Sequence, residues 1–346
     1  MKLAIHHTPV QGYFSERWIE YCNRQNIPYK LVNCYSNNII HDLSDCGALL
    51  WHFSHAHPTD FQISIKLIAS LEAAGKICFP NLNSCWHFDD KVAQKYLLES
   101  INAPVINSWV FYSQKEAIEW ISKASFPKVF KLKGGAGSAN VKLVRKHKSA
   151  RKLVRKAFGK GFRQFDRKSL FIYELKKWKS GSTTTRNLVL SFLKMFKKSD
   201  YEKLKGNELG YAYFQEFLPD NDSDTRIVVI GNRAFGIKRM VRKNDFRASG
   251  SGLILYDKEL IDQRCVKIAF DISAKLKTNC LTFDFLFSDN HSPMIAEISY
   301  GFHQDGYNDC QGYWDNDLNW NEGKFIPQEW MVDDIINSIK SSSKND

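Results

Sequence analysis

Nowhere does the sequence approach the roughly 20 consecutive apolar residues that a membrane-spanning helix requires. Its opening, Met1-Lys2-Leu3-Ala4-Ile5-His6-His7, lacks the apolar centre of a secretory signal, so a cytoplasmic protein is expected. Eight cysteines are scattered without a C-x-x-C pair or a histidine at zinc spacing. Buried or free thiols in a reducing compartment are therefore expected, not a disulfide framework or a zinc site. The dinucleotide fingerprint G-x-G-x-x-G is missing, as are the P-loop G-x-x-x-x-G-K-[ST] and the kinase H-R-D and D-F-G elements. No internal repeat points to a solenoid.

What the sequence does contain is charge, unevenly placed. The net charge is +12, yet residues 142–205 hold 21 Lys and Arg against 4 Asp and Glu, a balance of +17. The other residues hold 28 basic against 33 acidic, a balance of −5. A mildly acidic body thus carries one strongly basic segment.

Up to residue 80, strand-like stretches (2–6, 29–34, 48–53, 76–79) alternate with helix-like ones (14–24, 61–74). That alternation predicts a parallel sheet with helices on its faces, a small Rossmann-like domain over 1–85. A helix over 88–100 follows, with Asp89 complementing its positive end. Strands over 128–133 and 141–145 flank a glycine turn, and 211–218 is extended. Strands 226–230 and 233–240 are joined by Gly231-Asn232, and 258–276 is helical.

A last hairpin, 281–287 with 293–299, carries the strongest chemical signal. Pairing Phe287 with Met294 sets Asp284 opposite Glu297 and Thr282 opposite Ser299. Phe283, Phe285, Phe287, Met294, Ala296 and Ile298 then share the apolar face. Two carboxylates opposite one another repel, and both stay ionised only with help. A hard divalent cation such as Mg²⁺, bridging to phosphates, supplies that help. An acidic hairpin on a solvent face is the alternative.

In Phe130-Lys131-Leu132-Lys133-Gly134-Gly135-Ala136-Gly137-Ser138 a lysine-bearing strand runs into a glycine turn. Backbone N–H groups there can approach phosphate oxygens, and Lys131 adds a point charge. Many turns share this composition.

Taken in order, these elements resemble the ATP-grasp superfamily, closest to its RimK-like and glutathione-synthetase-like carboxylate–amine ligases. The resemblance covers roughly residues 85–301. It implies an α+β ATP-grasp fold in which a lid and an antiparallel core clasp ATP. Its domains would be the Rossmann-like 1–85, a linker helix and lid over 86–215, and a core over 216–346. Lys91, after Asp90, and Lys131 look like the two nucleotide lysines, with Gly134, Gly135, Gly137 and Ser138 in the phosphate loop. Gln215-Glu216-Phe217-Leu218-Pro219 is similar to the hinge at which Glu216, Phe217 and Leu218 meet adenine. Asp224-Thr225-Arg226 matches the D-x-R strand, Lys238-Arg239 the basic strand facing it, and Asn244-Asp245-Phe246-Arg247-Ala248-Ser249 the D-F-R-S-N stretch. Asp284 and Glu297 fall on the two acidic Mg²⁺ ligands. Ser299 stands where relatives carry Asn, and its hydroxyl is a shorter and poorer ligand.

By that resemblance a carboxylate attacks the γ-phosphorus of ATP, and an amine then attacks the acyl phosphate. Arg226, Arg239 and Arg247 are the candidates for stabilising the transferring phosphoryl group and holding the substrate carboxylate. A plain ion pair between Arg239 and Asp224 is the alternative for that residue. Two other classes remain open: an ATP-grasp phosphotransferase without ligation, and a non-enzymatic binder on a degenerate ATP-grasp fold. The retained Lys91, Lys131, Asp284 and Glu297 argue against degeneracy.

The basic segment mixes apolar and basic residues, as in 151–158 and 188–198. An anionic membrane surface at its inner face, a lipid-linked or sugar-linked substrate, an acidic glycan, or a solvated lid would each account for it. Nucleic acid ranks low, because no stacking platform or binding motif accompanies the charge. The aromatic tail 307–320 suits either a sugar-bearing ligand of surface-polysaccharide modification or anchors packed on the body.

Overall fold

A computed structural model of the chain describes residues 2–342 except 11, 55–56, 135–139, 165–170, 173, 176, 179–180, 182, 195–199, 242–246 and 248–251. It divides into two compact units. Met1–Phe88, Tyr96–Val105 and Leu218–Asp346 make the first, Asp89–Lys95 and Ile106–Phe217 the second.

The first unit opens with β1 (Lys2–His6), β2 (Tyr29–Val32), β3 (Cys46–Leu50) and β4 (Ile77–Phe79). They form a parallel sheet in the order β2-β1-β3-β4. The helix Phe14–Arg24 buries Phe14, Trp18 and Cys22, one stripe at a spacing of four. The helix Asp60–Ala73 stops before Gly75, whose φ of +79° favours a residue without a Cβ.

In the second unit, β5 (Ser108–Phe111), β6 (Lys128–Lys131), β7 (Lys142–Val144) and β8 (Ala212–Glu216) form an antiparallel sheet in the order β5-β8-β6-β7. Helices Gln114–Lys123 and His147–Ala157 cover it around Ile121, Phe130, Val154 and Phe214. The helix expected from residue 88 begins at Lys91 instead. Asp89 sits at φ +56°, outside helical conformation. Asp90 is the cap: its Oδ1 accepts from the N–H groups of Val92 and Ala93, both at 3.0 Å.

The first unit resumes with β9 (Ser223–Ile230), β10 (Arg233–Met240), β11 (Ile254–Leu255), β12 (Cys280–Phe287), β13 (Pro293–Ser299), β14 (Gly312–Asp315) and β15 (Trp320–Glu322). Their order is β13-β12-β9-β10-β14-β15, with β11 beside β10. Ile227, Val229, Phe283 and Phe285 pack on one side against the helix Gln263–Leu276. That helix is shorter than expected because Asp262 caps it, accepting from the Arg264 N–H at 2.8 Å, after a 3-10 turn at Lys258–Leu260. On the other side Val228, Ile230, Phe235 and Ile237 share a core with Leu3, Ile5, Trp18 and the C-terminal helix Pro327–Ser342.

The last hairpin keeps the expected pairs Thr282 with Ser299 and Asp284 with Glu297. A bulge after Asp284 then shifts the register, so that Phe285 faces Ile295 and Phe287 faces Pro293. The extra residue turns Ile295 into the core, leaving Met294 and Ala296 half-buried rather than in the apolar face. All eight cysteines are free and buried. In the aromatic tail Tyr307 and Trp314 are buried, and the rings of Trp314 and Trp320 lie 4.7 Å apart, so these side chains act as anchors. Among the described residues no helix is long and apolar enough to cross a membrane.

Candidate active site

Strand alternation assembles a charged patch on one end of the large sheet. Asp224 and Arg226 of β9, Arg239 of β10 and Asp284 of β12 point the same way as Val228, Ile230 and Ile237, which continue that face into the core. The register sets Asp224 opposite Arg239, and places Asp284 between Arg226 on one side and Glu297 on the other. Neighbouring strands lie about 4.8 Å apart, close enough for side chains to meet directly.

They do meet. Arg226 donates to Asp284 through Nε to Oδ1 at 2.5 Å and Nη2 to Oδ2 at 2.7 Å. Arg239 donates to Asp224 through Nε and Nη2, both at 2.6 Å, and its Nη2 also reaches Asp284 Oδ2 at 2.9 Å. Both pairs have the planar fork geometry that guanidinium and carboxylate share. Arg239 thus forms the plain ion pair with Asp224 and, beyond it, bridges to Asp284.

Burial alone would push the Asp284 carboxyl up, but Arg226 and Arg239 together hold it well below the usual carboxylate range. Asp224 goes the other way: burial and the neighbouring Asp284 charge raise it, against the pull of Arg239 and Arg226. Arg226 and Arg239 lose solvation, yet the two carboxylates keep both firmly protonated. Two positive and two negative groups balance, and Glu297 adds a further negative charge beside them.

The repulsion between Asp284 and Glu297, which pointed to a cation, is therefore answered in part by guanidinium groups. The donor set still suits a hard ion, since Asp284 Oδ1 accepts a single hydrogen bond and keeps a second lone pair, and Glu297 lies directly across the ladder. Ser299 is turned back on its own chain, its Oγ donating to the Gly301 carbonyl at 3.1 Å and accepting from the Gly301 N–H at 3.2 Å. Among the described residues no three His, Cys, Asp or Glu side chains gather into a metal cage. An ion here would take two carboxylates and complete its shell with phosphate and water oxygens, the usual habit of Mg²⁺.

The second unit concentrates buried cations. Lys91, Lys128 and Lys131 are 5%, 4% and 9% exposed, unusual for a side chain that is rarely buried without a partner. The Lys91 N–H donates to the Lys133 carbonyl at 2.9 Å, tying the start of its helix to the end of the lysine strand. Gly134 follows, and a Cβ there would stand 3.1 Å from Asp89 Oδ2, which pairs with Lys205 Nζ at 3.4 Å. Glu216, assigned to adenine by resemblance, is bound through Oε1 to Lys128 Nζ at 2.8 Å, in register across β6 and β8. Phe217 and Leu218 follow it where β8 ends. Gly135, Gly137 and Ser138 lie outside the described residues, as do Asn244, Asp245, Phe246, Ala248 and Ser249. Arg247 is half-buried.

No protein-family model and no curated protein matches the sequence. Solved structures do match the fold. The crystal structure of D-cycloserine synthetase DcsG is 14% identical, with a TM-score of 0.57 over 97% of this chain and 99% of its own. A RimK-domain ATP-grasp protein from Sphaerobacter thermophilus is 12% identical, with a TM-score of 0.53 over 97% and 100%. D-alanine–D-alanine ligase from Bacillus anthracis, complexed with ATP, is 12% identical, with a TM-score of 0.55 over 100% and 98%. The chain has the ATP-grasp fold. At these identities the likeness is one of architecture.

In this ATP-grasp fold two residues have surroundings that the sequence did not reveal. Lys128 is the partner of Glu216, 88 positions away, and no local pattern marks it. Tyr307 is buried between Phe235 and Phe302, with its hydroxyl close to the Arg226 guanidinium. Burial raises that hydroxyl's pKa, while the charge of Arg226 opposes the rise.

Proposed function

We propose that this chain is an ATP- and Mg²⁺-dependent ligase that joins a carboxylate to an amine. The observation that carries the reading is the charged end of the large sheet, where Asp284 and Glu297 stand in register beside Arg226 and Arg239 on an ATP-grasp fold. Lys91 and Lys131 are the residues we assign to nucleotide phosphates. Their burial strengthens a charge–charge contact that water would weaken. Glu216 and Lys128 act as a unit at the adenine end, with Phe217 and Leu218 beside them.

Asp284 and Glu297 would hold the Mg²⁺, which would supply positive charge against the phosphate oxygens. Arg226 and Arg239 are pre-oriented by Asp224 and Asp284, so little reorganisation is needed when charge develops on the transferring phosphoryl group. Arg247 joins them in holding the substrate carboxylate. One carboxylate oxygen bonds to the γ-phosphorus as the bond to ADP breaks. The amine then bonds to the acyl carbon, phosphate leaves with that oxygen, and the amine loses a proton. The basic segment favours an acid carried on a sugar or lipid at an anionic surface.

Hydroxylamine is the test, since it intercepts acyl phosphates as hydroxamates. With MgATP and a panel of carboxylic acids, a ligase yields hydroxamate, ADP and phosphate in equal amounts. ADP with a stable phosphorylated acceptor and no free phosphate would establish a phosphotransferase instead. No thermal shift with millimolar MgATP would remove the nucleotide site altogether.

A further inference from the structure

We propose that the surface formed by Ile172, Trp178 and the helix Thr185–Lys194 docks on an anionic phospholipid membrane. The inference goes beyond the ligase reading and does not depend on it. Val189, Leu190, Phe192 and Leu193 are 52%, 41%, 46% and 57% exposed on a single ten-residue helix, and Ile172 and Trp178 are 51% and 42% exposed nearby. Single exposed apolar residues are ordinary, but six within 22 positions form a patch that asks for a cover.

Two contacts join the segments that carry these side chains. Trp178 Nε1 donates to Thr185 Oγ1 at 3.1 Å, and the rings of Phe171 and Phe192 meet edge-on at 5.6 Å. Charge decides among the covers. The patch lies inside the segment of balance +17, and Arg186 on the same helix is exposed. A second copy of this surface would bring two strongly positive segments together, which opposes self-association. Phosphates of a nucleic acid would satisfy the charge and leave Val189, Leu190 and Leu193 in water. An anionic bilayer satisfies both: Leu, Phe and Trp enter the boundary of headgroups and acyl chains, while Lys and Arg remain among the headgroups.

The experiment is co-sedimentation of the full chain with vesicles of phosphatidylcholine alone, or of phosphatidylcholine and phosphatidylglycerol at 3:1. Each Lys or Arg near an anionic surface multiplies partitioning by about fivefold, so two or three engaged cations give at least tenfold preference for the anionic vesicles. Half-molar salt should erase that preference. The double variant Leu190→Ser, Leu193→Ser removes apolar side chains already exposed, so its thermal unfolding should match wild type while partitioning falls at least tenfold. Equal binding to both vesicles, no binding, or binding unchanged in the double variant overturns the proposal. So does a dimer that the double variant dissociates, or an RNA complex that displaces the vesicles.

Discussion

Replacing Asp284 with Asn separates its structural work from its proposed work on Mg²⁺. The carboxylate holds Arg226 through two bonds of 2.5 and 2.7 Å and takes a third from Arg239 at 2.9 Å. Asn keeps one acceptor oxygen and no charge. Arg239 retains Asp224, but Arg226 is left with a neutral partner in a site where its side chain is 22% exposed. Breaking a fully buried pair costs 3–5 kcal/mol, and partial exposure of Arg226 brings the expected loss in unfolding free energy to about 2–3 kcal/mol. Asp224→Asn should cost a similar amount, because Arg239 then leans on Asp284 alone. Urea unfolding measures both. The variants should part company with ligand: the extra thermal shift that Mg²⁺ adds to a non-hydrolysable ATP analogue disappears in Asp284→Asn and persists in Asp224→Asn. If Asp284→Asn keeps that increment, the carboxylate does not meet the ion. If it unfolds like wild type, the guanidinium pairing is not what holds this end of the sheet.

Acid should destabilise the protein well above the carboxylate range. Burial lowers His52 to about 3 and His87 to about 4, from an ordinary 6.5. Below 6.5 the unfolded chain takes up protons that the folded chain refuses, so stability falls as pH falls through this window. Between pH 7.5 and 5 each contributes a loss of about 2 kcal/mol, and His52→Asn should halve their joint slope in urea titrations. Lys128→Met strips Glu216 of its partner and should cost about 1–2 kcal/mol, since that carboxylate is partly exposed. Lys131→Met should instead lower affinity for the ATP analogue at least tenfold by calorimetry. Gly134→Ala sets a Cβ 3.1 Å from the buried Asp89 carboxylate and should cost about 1–2 kcal/mol of stability by urea unfolding.

How much of this was legible depends on how far apart in sequence the interacting parts lie. Strands β12 and β13 are neighbours across a short loop, so alternation and loop length were enough to set Asp284 opposite Glu297. The bulge that follows was invisible, because no residue type in Phe285–Phe287 demands it. The helix expected from residue 88 starts late because two aspartates adjoin there. Only backbone conformation reveals that Asp90 caps and Asp89 does not. Arg239 with Asp224 could be read from the Gly231-Asn232 turn, whereas Asp284 joining them could not, since Arg226 and Asp284 are 58 positions apart. Each strand nonetheless carried a local sign of the site. Along one face β9 passes from Asp224 and Arg226 to Val228 and Ile230, β10 from Arg239 to Ile237 and Phe235, and β12 from Asp284 to Cys280. A face that changes from charged to apolar along one strand is ambiguous, because any strand leaving the core does so. Three strands that change together, with opposite charges alternating across them, are not. Sheet order and register turn three weak signs into a neutral cluster of two guanidinium groups and two carboxylates at the edge of a core.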